Sequence, residues 1–334
     1  MRLLKITRQE FKKFFIGVRI KTTILFIEKC SLDKSELISL LKKFHIHFMH
    51  EDGLETLNKS SVTHLYTRIN QKLDSKFLRM FSNLSTILCP TTSIDHIDTD
   101  YCDVNRIRII SLKGQNKFLQ DVTSTAELTA WFILELARMP SKYHQSVLNG
   151  SWDRYAYRTE SLSGKTLGII GLGRVGTQVA NIFHNLNMKI IFYDSDNSIN
   201  CRYLRVADLG DIAEQSDFIS IHVSGVSPNN NLINRNFFCK LKAKGAYLIN
   251  TSRGFIVNEP DLLHSIKNGE ILGFATDVLV DEEGRSDLWL GKNLIWQEMR
   301  LNHKIIITPH IGGSTEDTLE KVDRFIISKI SSDL

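Results

Sequence analysis

Residues 165–194 read KTLGIIGLGRVGTQVANIFHNLNMKIIFYD, and the fold turns on this stretch. The apolar run at 167–170 has the composition of a buried strand and enters the glycine pattern Gly171-Leu172-Gly173-Arg174-Val175-Gly176. Apolar residues then recur at Val175, Val179, Phe183 and Leu186, one face of a helix, before a second apolar run at 188–193 ends in Asp194. Strand, glycine turn, helix, strand and acid within about thirty residues is the context that makes a glycine pattern a dinucleotide-binding unit. Gly171 permits the tight turn, Gly173 lets backbone approach a pyrophosphate, and Gly176 lets the helix pack against the strand. The free N–H groups at the helix start would meet the phosphate charge, so the turn residues, Arg174 and Val175 included, are the expected cofactor contacts. Asp194 lies 21 positions after Gly173, where a carboxylate accepts from both ribose hydroxyls and repels a 2′-phosphate. The cofactor expected is NAD rather than NADP.

Strands and helices alternate on both sides of this stretch. Upstream, strands are predicted at 23–27, 46–49, 62–66, 85–89 and 106–111, with helices at 33–44 and 74–80. This is a small α/β domain with a parallel sheet and no phosphate loop of its own. A polar loop at 112–123 leads to a long helix at 126–138 that Ser124 or Thr125 can cap. Apolar residues lie almost all around that helix, so burial on several sides is expected. Downstream, helices at 209–215, 235–241 and 258–268 alternate with strands at 217–223, 246–250 and 272–277. An irregular segment at 280–302, a strand at 304–308 and a helix at 315–330 follow.

A chain of 334 residues, 42% hydrophobic and 24% charged, can bury two cores. A net charge of +5 with scattered basic residues does not suggest nucleic-acid binding. No apolar run approaches the ~20 residues of a membrane span. Five cysteines without a CxxC pair read as reduced thiols in a cytoplasmic protein, with no metal site expected. Residues 1–20 carry six basic residues against Glu10 but no proper apolar region or cleavage site, and read as an N-terminal extension rather than a targeting segment.

The chemistry is expected at strand ends. Thr251-Ser252-Arg253 follows one strand, Asp277 closes the next with Glu282 shortly after, and Pro309-His310-Ile311-Gly312-Gly313 closes the last. In a doubly wound sheet such ends share one edge. Arg253 offers a planar fork for a carboxylate. His310 can take the proton of a carbinol, and Glu282 can hold its other nitrogen. His222, at another strand end, is a rival to His310. Each residue also has a plainer reading: an ion pair for Arg253, a solvated acidic loop for Glu282.

GKTLGIIGLGRVG, INTSRGFIVNE, GFATDVLVDEE and ITPHIGGST, with STAELTAWFILELAR, resemble the signatures of the D-isomer-specific 2-hydroxyacid dehydrogenases. The likeness runs from about Thr23 to the C-terminus. It implies two doubly wound parallel-sheet domains, a Rossmann NAD domain inserted into a flavodoxin-like substrate domain. The expected limits are 1–20 for the extension and 21–122 for the first part of the substrate domain. The NAD domain then spans 123–308 with the interdomain helix 126–138, and 309–334 return to the substrate domain. The resemblance implies Arg253 as the substrate arginine, Glu282 and His310 as the acid/base dyad and Asp277 near the nicotinamide amide. It also implies Thr251, Ser252, Gly312 and Gly313 close to the cofactor, with His222 beside it, and a homodimer joined through the NAD domains. The implied activity interconverts a D-2-hydroxy acid and its 2-keto acid. A non-catalytic NAD-sensing scaffold or corepressor with the same fold is the alternative. The family's glycine-rich substrate loop is replaced by Thr91-Thr92-Ser93-Ile94, and a proline after the dyad acid by Glu283-Gly284-Arg285. These departures bear on the identity of the substrate.

Overall fold

The computed structural model describes residues 22–225, 227–282, 289–302 and 304–331. The expected extension at 1–20 and the Glu283-Gly284-Arg285 departure lie outside the described residues. The chain divides into two compact units, Met1–Gln115 with Glu316–Leu334, and Asn116–Thr315. The family resemblance implied these changes at 122/123 and 308/309.

The first unit holds β1 (Thr23–Phe26), β2 (His45–Phe48), β3 (His64–Tyr66), β4 (Thr86–Cys89) and β5 (Arg108–Ser111), all parallel in the order β2-β1-β3-β4-β5. One core packs Leu25, Leu65, Ile87 and Cys89 from alternate strand positions against Leu78, Phe81 and Cys102. Between β1 and β2 runs α1 (Lys34–Leu41), started by a capping box in which Asp33 accepts from the Glu36 amide and Glu36 from the Asp33 amide, both at 2.9 Å. The helix Glu316–Ser331 returns to this unit and brings Asp323, whose side chain is fully buried. Its carboxylate receives the Tyr66 hydroxyl, the Arg68 guanidinium and the Ser31 amide, each at 2.6 Å. A buried carboxylate is tolerable only with such partners.

The second unit holds β6 (Thr166–Ile170), β7 (Lys189–Tyr193), β8 (Leu204–Arg205), β9 (Phe218–Ile221), β10 (Ala246–Asn250), β11 (Ile271–Thr276) and β12 (Ile305–Ile307) in the order β12-β11-β10-β9-β6-β7-β8. All pairings are parallel. Because β6 lies between β7 and β9, the glycine turn leaves it at the point where strand order reverses. Helices α2 (Ser124–Arg138), α3 (Pro140–Leu148), α4 (Arg174–Asn185), α5 (Leu209–Gln215), α6 (Glu259–Lys267) and α7 (Leu294–Met299) belong to the unit, with single turns at Asn116–Leu119 and Arg235–Phe238. The period of two sends Ile170 and Leu248 to the α5 and α6 face, and Ile169 and Ile249 to the face where Phe132, Val179 and Phe183 of α2 and α4 pack. Each such fully buried side chain contributes about 1.5–3 kcal/mol.

Two expectations are corrected. Helix α2 begins at Ser124, with Thr123 at its N-cap and no side-chain capping bond: the Thr123 hydroxyl donates to the Glu127 carboxylate at 2.5 Å, and the Thr125 hydroxyl to the Gly312 carbonyl at 3.2 Å. The burial expected for α2 on several sides is present at Ala126, Phe132, Ile133 and Leu136, while Trp131 and Leu134 keep about two fifths of their surface exposed. Within 280–302, predicted irregular, the Asn293 side chain accepts from the Trp296 amide at 3.0 Å and starts α7.

Candidate active site

The glycine turn shows which constraints come from the chain itself. Gly171 has φ +92°, and a Cβ there would lie 2.8 Å from the His222 carbonyl. A Cβ on Gly176 would lie 2.1 Å from the Gly171 oxygen, so helix α4 needs glycine to approach β6. Gly173 is different, since its φ of −73° suits any residue and a Cβ would meet nothing within 4 Å. Neither backbone nor packing requires glycine at 173, whereas a phosphate approaching the first turn of α4 would. No side chain caps that turn. Asp194, at the end of β7, accepts from the Leu172 amide at 2.7 Å and from the Asp196 amide at 2.9 Å, which fixes its carboxylate beside the glycine turn. Each oxygen keeps a lone pair for a ribose hydroxyl. These residues fit a dinucleotide with an unphosphorylated ribose. Val175 packs against the core on the α2 side. Arg174 donates to the Val122 carbonyl at 2.7 Å, and its burial lowers its pKa.

At the ends of β10, β11 and β12 the structure brings together the residues expected to carry chemistry. Beyond β12, the His310 Nδ1 lies 2.7 Å from Glu282 Oε1, and both side chains remain about one fifth exposed. The second Glu282 oxygen accepts from the Leu279 amide at 3.1 Å, so the carboxylate is aimed from both ends. His310 has φ +54°, a left-handed backbone costing roughly 1–2 kcal/mol. Asp277 sustains that conformation. Its carbonyl accepts from the His310 amide at 2.9 Å. Its carboxylate accepts from the Thr308 hydroxyl at 2.5 Å and from the amides of Ile311 and Gly312 at 2.8 and 2.7 Å. Burial raises the Asp277 pKa, with these donors opposing the rise. A Cβ on Gly312 would crowd the same carboxylate at 3.0 Å, while one on Gly313 would meet nothing within 4 Å.

Arg253 follows β10 in extended conformation and donates to the Ser252 carbonyl at 2.7 Å. Asn250, fully buried and absent from the sequence-derived candidates, shapes this turn by accepting from the Ser252 amide at 3.0 Å and donating to the Arg253 carbonyl at 2.9 Å. Gly254 was also missed as a steric requirement. A Cβ there would lie 2.1 Å from the Leu279 carbonyl carbon and 2.4 Å from the Val280 nitrogen, so the Arg253 turn and the loop leading to Glu282 touch backbone to backbone. Glu259 supports the same loop through the Val280 amide at 3.2 Å, and burial raises its pKa. The Thr251 hydroxyl pairs with Thr129 of α2 at 2.9 Å, and the Ser252 hydroxyl donates to the Val223 carbonyl.

His222 lies 2.8 Å from the Ser220 hydroxyl through Nε2, and burial pushes its pKa down to about 3. A ring held neutral in this way is a poor partner for a proton at neutral pH. Thr91, Thr92 and Ser93 belong to the first unit, just beyond β4. There the Thr91 hydroxyl donates to the Ser93 carbonyl at 2.6 Å and Ser93 bonds Asp95. No cluster of metal-ligating side chains occurs among the described residues. No helix among them is long and apolar enough to cross a membrane.

Residues 130–312, more than half of the chain, match the family model for the D-isomer specific 2-hydroxyacid dehydrogenase, NAD binding domain. D-3-phosphoglycerate dehydrogenase 1 of Saccharomyces cerevisiae is 29% identical over 307 residues, which cover 91% of this chain and 60% of the yeast protein. Hydroxypyruvate reductase of Thermotoga maritima is 28% identical over 270 residues, 81% of this chain and 84% of that protein. The chain thus spans about three fifths of the yeast phosphoglycerate dehydrogenase it matches. D-Lactate dehydrogenase from Aquifex aeolicus, solved with NAD and lactic acid, aligns with a TM-score of 0.77 at 25% identity, over 92% of this chain and 94% of that one. With the glycine turn, Asp194 and the three strand ends all inside the matched region or at its edge, the chain belongs to the D-isomer-specific 2-hydroxyacid dehydrogenase family, and residues 130–312 are its NAD-binding domain.

Proposed function

We propose that this protein interconverts a D-2-hydroxy acid and its 2-keto acid with NAD. The observation that carries the reading is the 2.7 Å contact of His310 with Glu282, in the same unit as Arg253 and the glycine turn. Glu282 holds Nδ1, so Nε2 is the nitrogen free to exchange a proton with the substrate C2 oxygen. The carboxylate also stabilises the imidazolium that results from oxidation. Arg253 holds the substrate carboxylate through its planar fork. Bound NAD supplies the hydride acceptor. Asp277 keeps the His310 turn in place, and Asp194 accepts from the adenosine ribose.

The test is a panel of 2-keto acids with NADH, followed by absorbance, using the wild-type protein and His310→Ala. Turnover of at least one 2-keto acid is expected, falling by about 10²–10⁴ in the variant while NADH still binds. A protein that binds NADH yet reduces no member of the panel, or a fully active variant, refutes the reading.

The proposed assembly is a homodimer through the α2 and α3 region, where Trp131, Leu148, Trp152 and Tyr155 are exposed, the last two at 89% and 84%. Apolar side chains gathered in this way mark interaction surfaces. Light scattering should return twice the 38.2 kDa chain mass, and a monomer refutes the assignment. Five free cysteines suit the reducing cytoplasm proposed as its location.

A further inference from the structure

Strands β7 and β8 run side by side with Phe192 opposite Arg205, whose guanidinium sits 4.8 Å from the Phe192 ring centre. From that position one nitrogen donates to the Asp194 carbonyl at 2.8 Å and the other to the Asp196 carbonyl at 2.7 Å. A single planar fork therefore spans the turn that carries the ribose acid. The Asp194 carboxylate is held separately, by the amides of Leu172 and Asp196.

An arginine at this edge supports two opposite outcomes. With its fork available, it would pair with a 2′-phosphate and favour NADP. With its donors directed at two backbone carbonyls, it fixes the turn instead, and the acid is what an incoming ribose meets. A carboxylate discriminates against phosphate only if it cannot swing aside, because a mobile one relieves the repulsion by rotating away. We propose that Arg205 is a positioning residue for cofactor choice: by clamping the carbonyls of Asp194 and Asp196 it holds the Asp194 carboxylate on the ribose and sharpens discrimination against a 2′-phosphate. This rests on the assignment of Asp194 as the ribose acid.

The experiment measures Kd for NADH and NADPH by fluorescence titration of the wild-type protein, Arg205→Met and Arg205→Lys. Methionine keeps an apolar stem over Phe192 and loses both donors. Lysine can reach one carbonyl. The ratio of Kd for NADPH to Kd for NADH should narrow about three- to tenfold in Arg205→Met, the worth of a hydrogen bond or so, and recover in part in Arg205→Lys. A ratio that widens shows the guanidinium itself attracting the 2′-phosphate and overturns the proposal. So does an unchanged ratio with both affinities weakened alike, the mark of a merely structural role. Should Arg205→Met fail to fold, the lysine variant decides, with a smaller narrowing in support and none against. Equal binding of both dinucleotides by the wild-type protein would instead refute the role of Asp194, and the proposal with it, before any variant is compared.

Discussion

Replacing Gly254 by alanine tests whether the dyad depends on contact between two backbones. The added Cβ would start 2.1 Å from the Leu279 carbonyl carbon, 2.3 Å from its oxygen and 2.4 Å from the Val280 nitrogen. An ordinary carbon contact begins near 3.4 Å, so the two segments must separate by about 1.3 Å. Neither yields easily. The Arg253 turn is held by Asn250, and the 279–282 loop by the Glu282 carboxylate on the Leu279 amide and by Glu259 on the Val280 amide. Glu282 lies two residues beyond the contact, so a shift of this size lengthens its 2.7 Å bond to His310 or moves Arg253 away from it. Misplacement by about 1 Å costs on the order of 10² in rate, and overpacking costs about 1–3 kcal/mol of stability. The assay is kcat/KM with the preferred 2-keto acid, alongside Kd for NADH and the thermal midpoint. A loss of about a hundredfold is expected with Kd for NADH little changed, because the glycine turn is untouched. Activity within twofold of wild type would refute the argument.

Three further outcomes follow from the same geometry. Arg253→Lys keeps the charge but not the fork, so KM for the keto acid should rise about tenfold or more with Kd for NADH unchanged; an unaltered KM removes Arg253 from the substrate. His222 is held neutral down to about pH 3, while in the unfolded chain it protonates below its ordinary 6.5. The unfolded state therefore binds the extra proton, and stability is lost as pH falls from 6.5 towards 3. Thermal midpoints of the wild type should drop more steeply across that window than those of His222→Asn, and parallel curves would contradict this. Asp323→Ala leaves the Arg68 charge, 15% exposed, without its buried partner. Urea denaturation should show a cost of about 3–5 kcal/mol, against which a loss below 1 kcal/mol would count.

How far these features could be read beforehand depended on whether their causes were local. The β6 turn and α4 were readable because strand and helix periods change across a few residues around Gly171 and Gly176. His310, Glu282 and Arg253 were readable as chemical types at strand ends, although periodicity alone did not pair Glu282 with a residue 28 positions later. Gly254 looked like one more motif residue, since the backbone it must avoid is that of Leu279 and Val280. Asn250 read as the polar end of a strand, and its two bonds become visible only when the turn is built. Strand β8 is two residues long, too short to establish a period, and Arg205 went unnoticed with it. The apolar pattern of 126–138 marked burial on several sides without showing that Trp131 and Leu134 stay partly exposed.

Asp323 has a consequence for how the chain is made. The first unit contains residues synthesised early, yet the carboxylate that satisfies Tyr66, Arg68 and the Ser31 amide is near the end of the chain. While the polypeptide is emerging, the β1–β5 sheet has these three donors without their acceptor, and their burial is unfavourable. The second unit is continuous, Asn116–Thr315, and every strand of its sheet is available before Asp323 is added. Biosynthesis thus favours an inside-out order, in which the inserted dinucleotide domain is finished before the unit that flanks it.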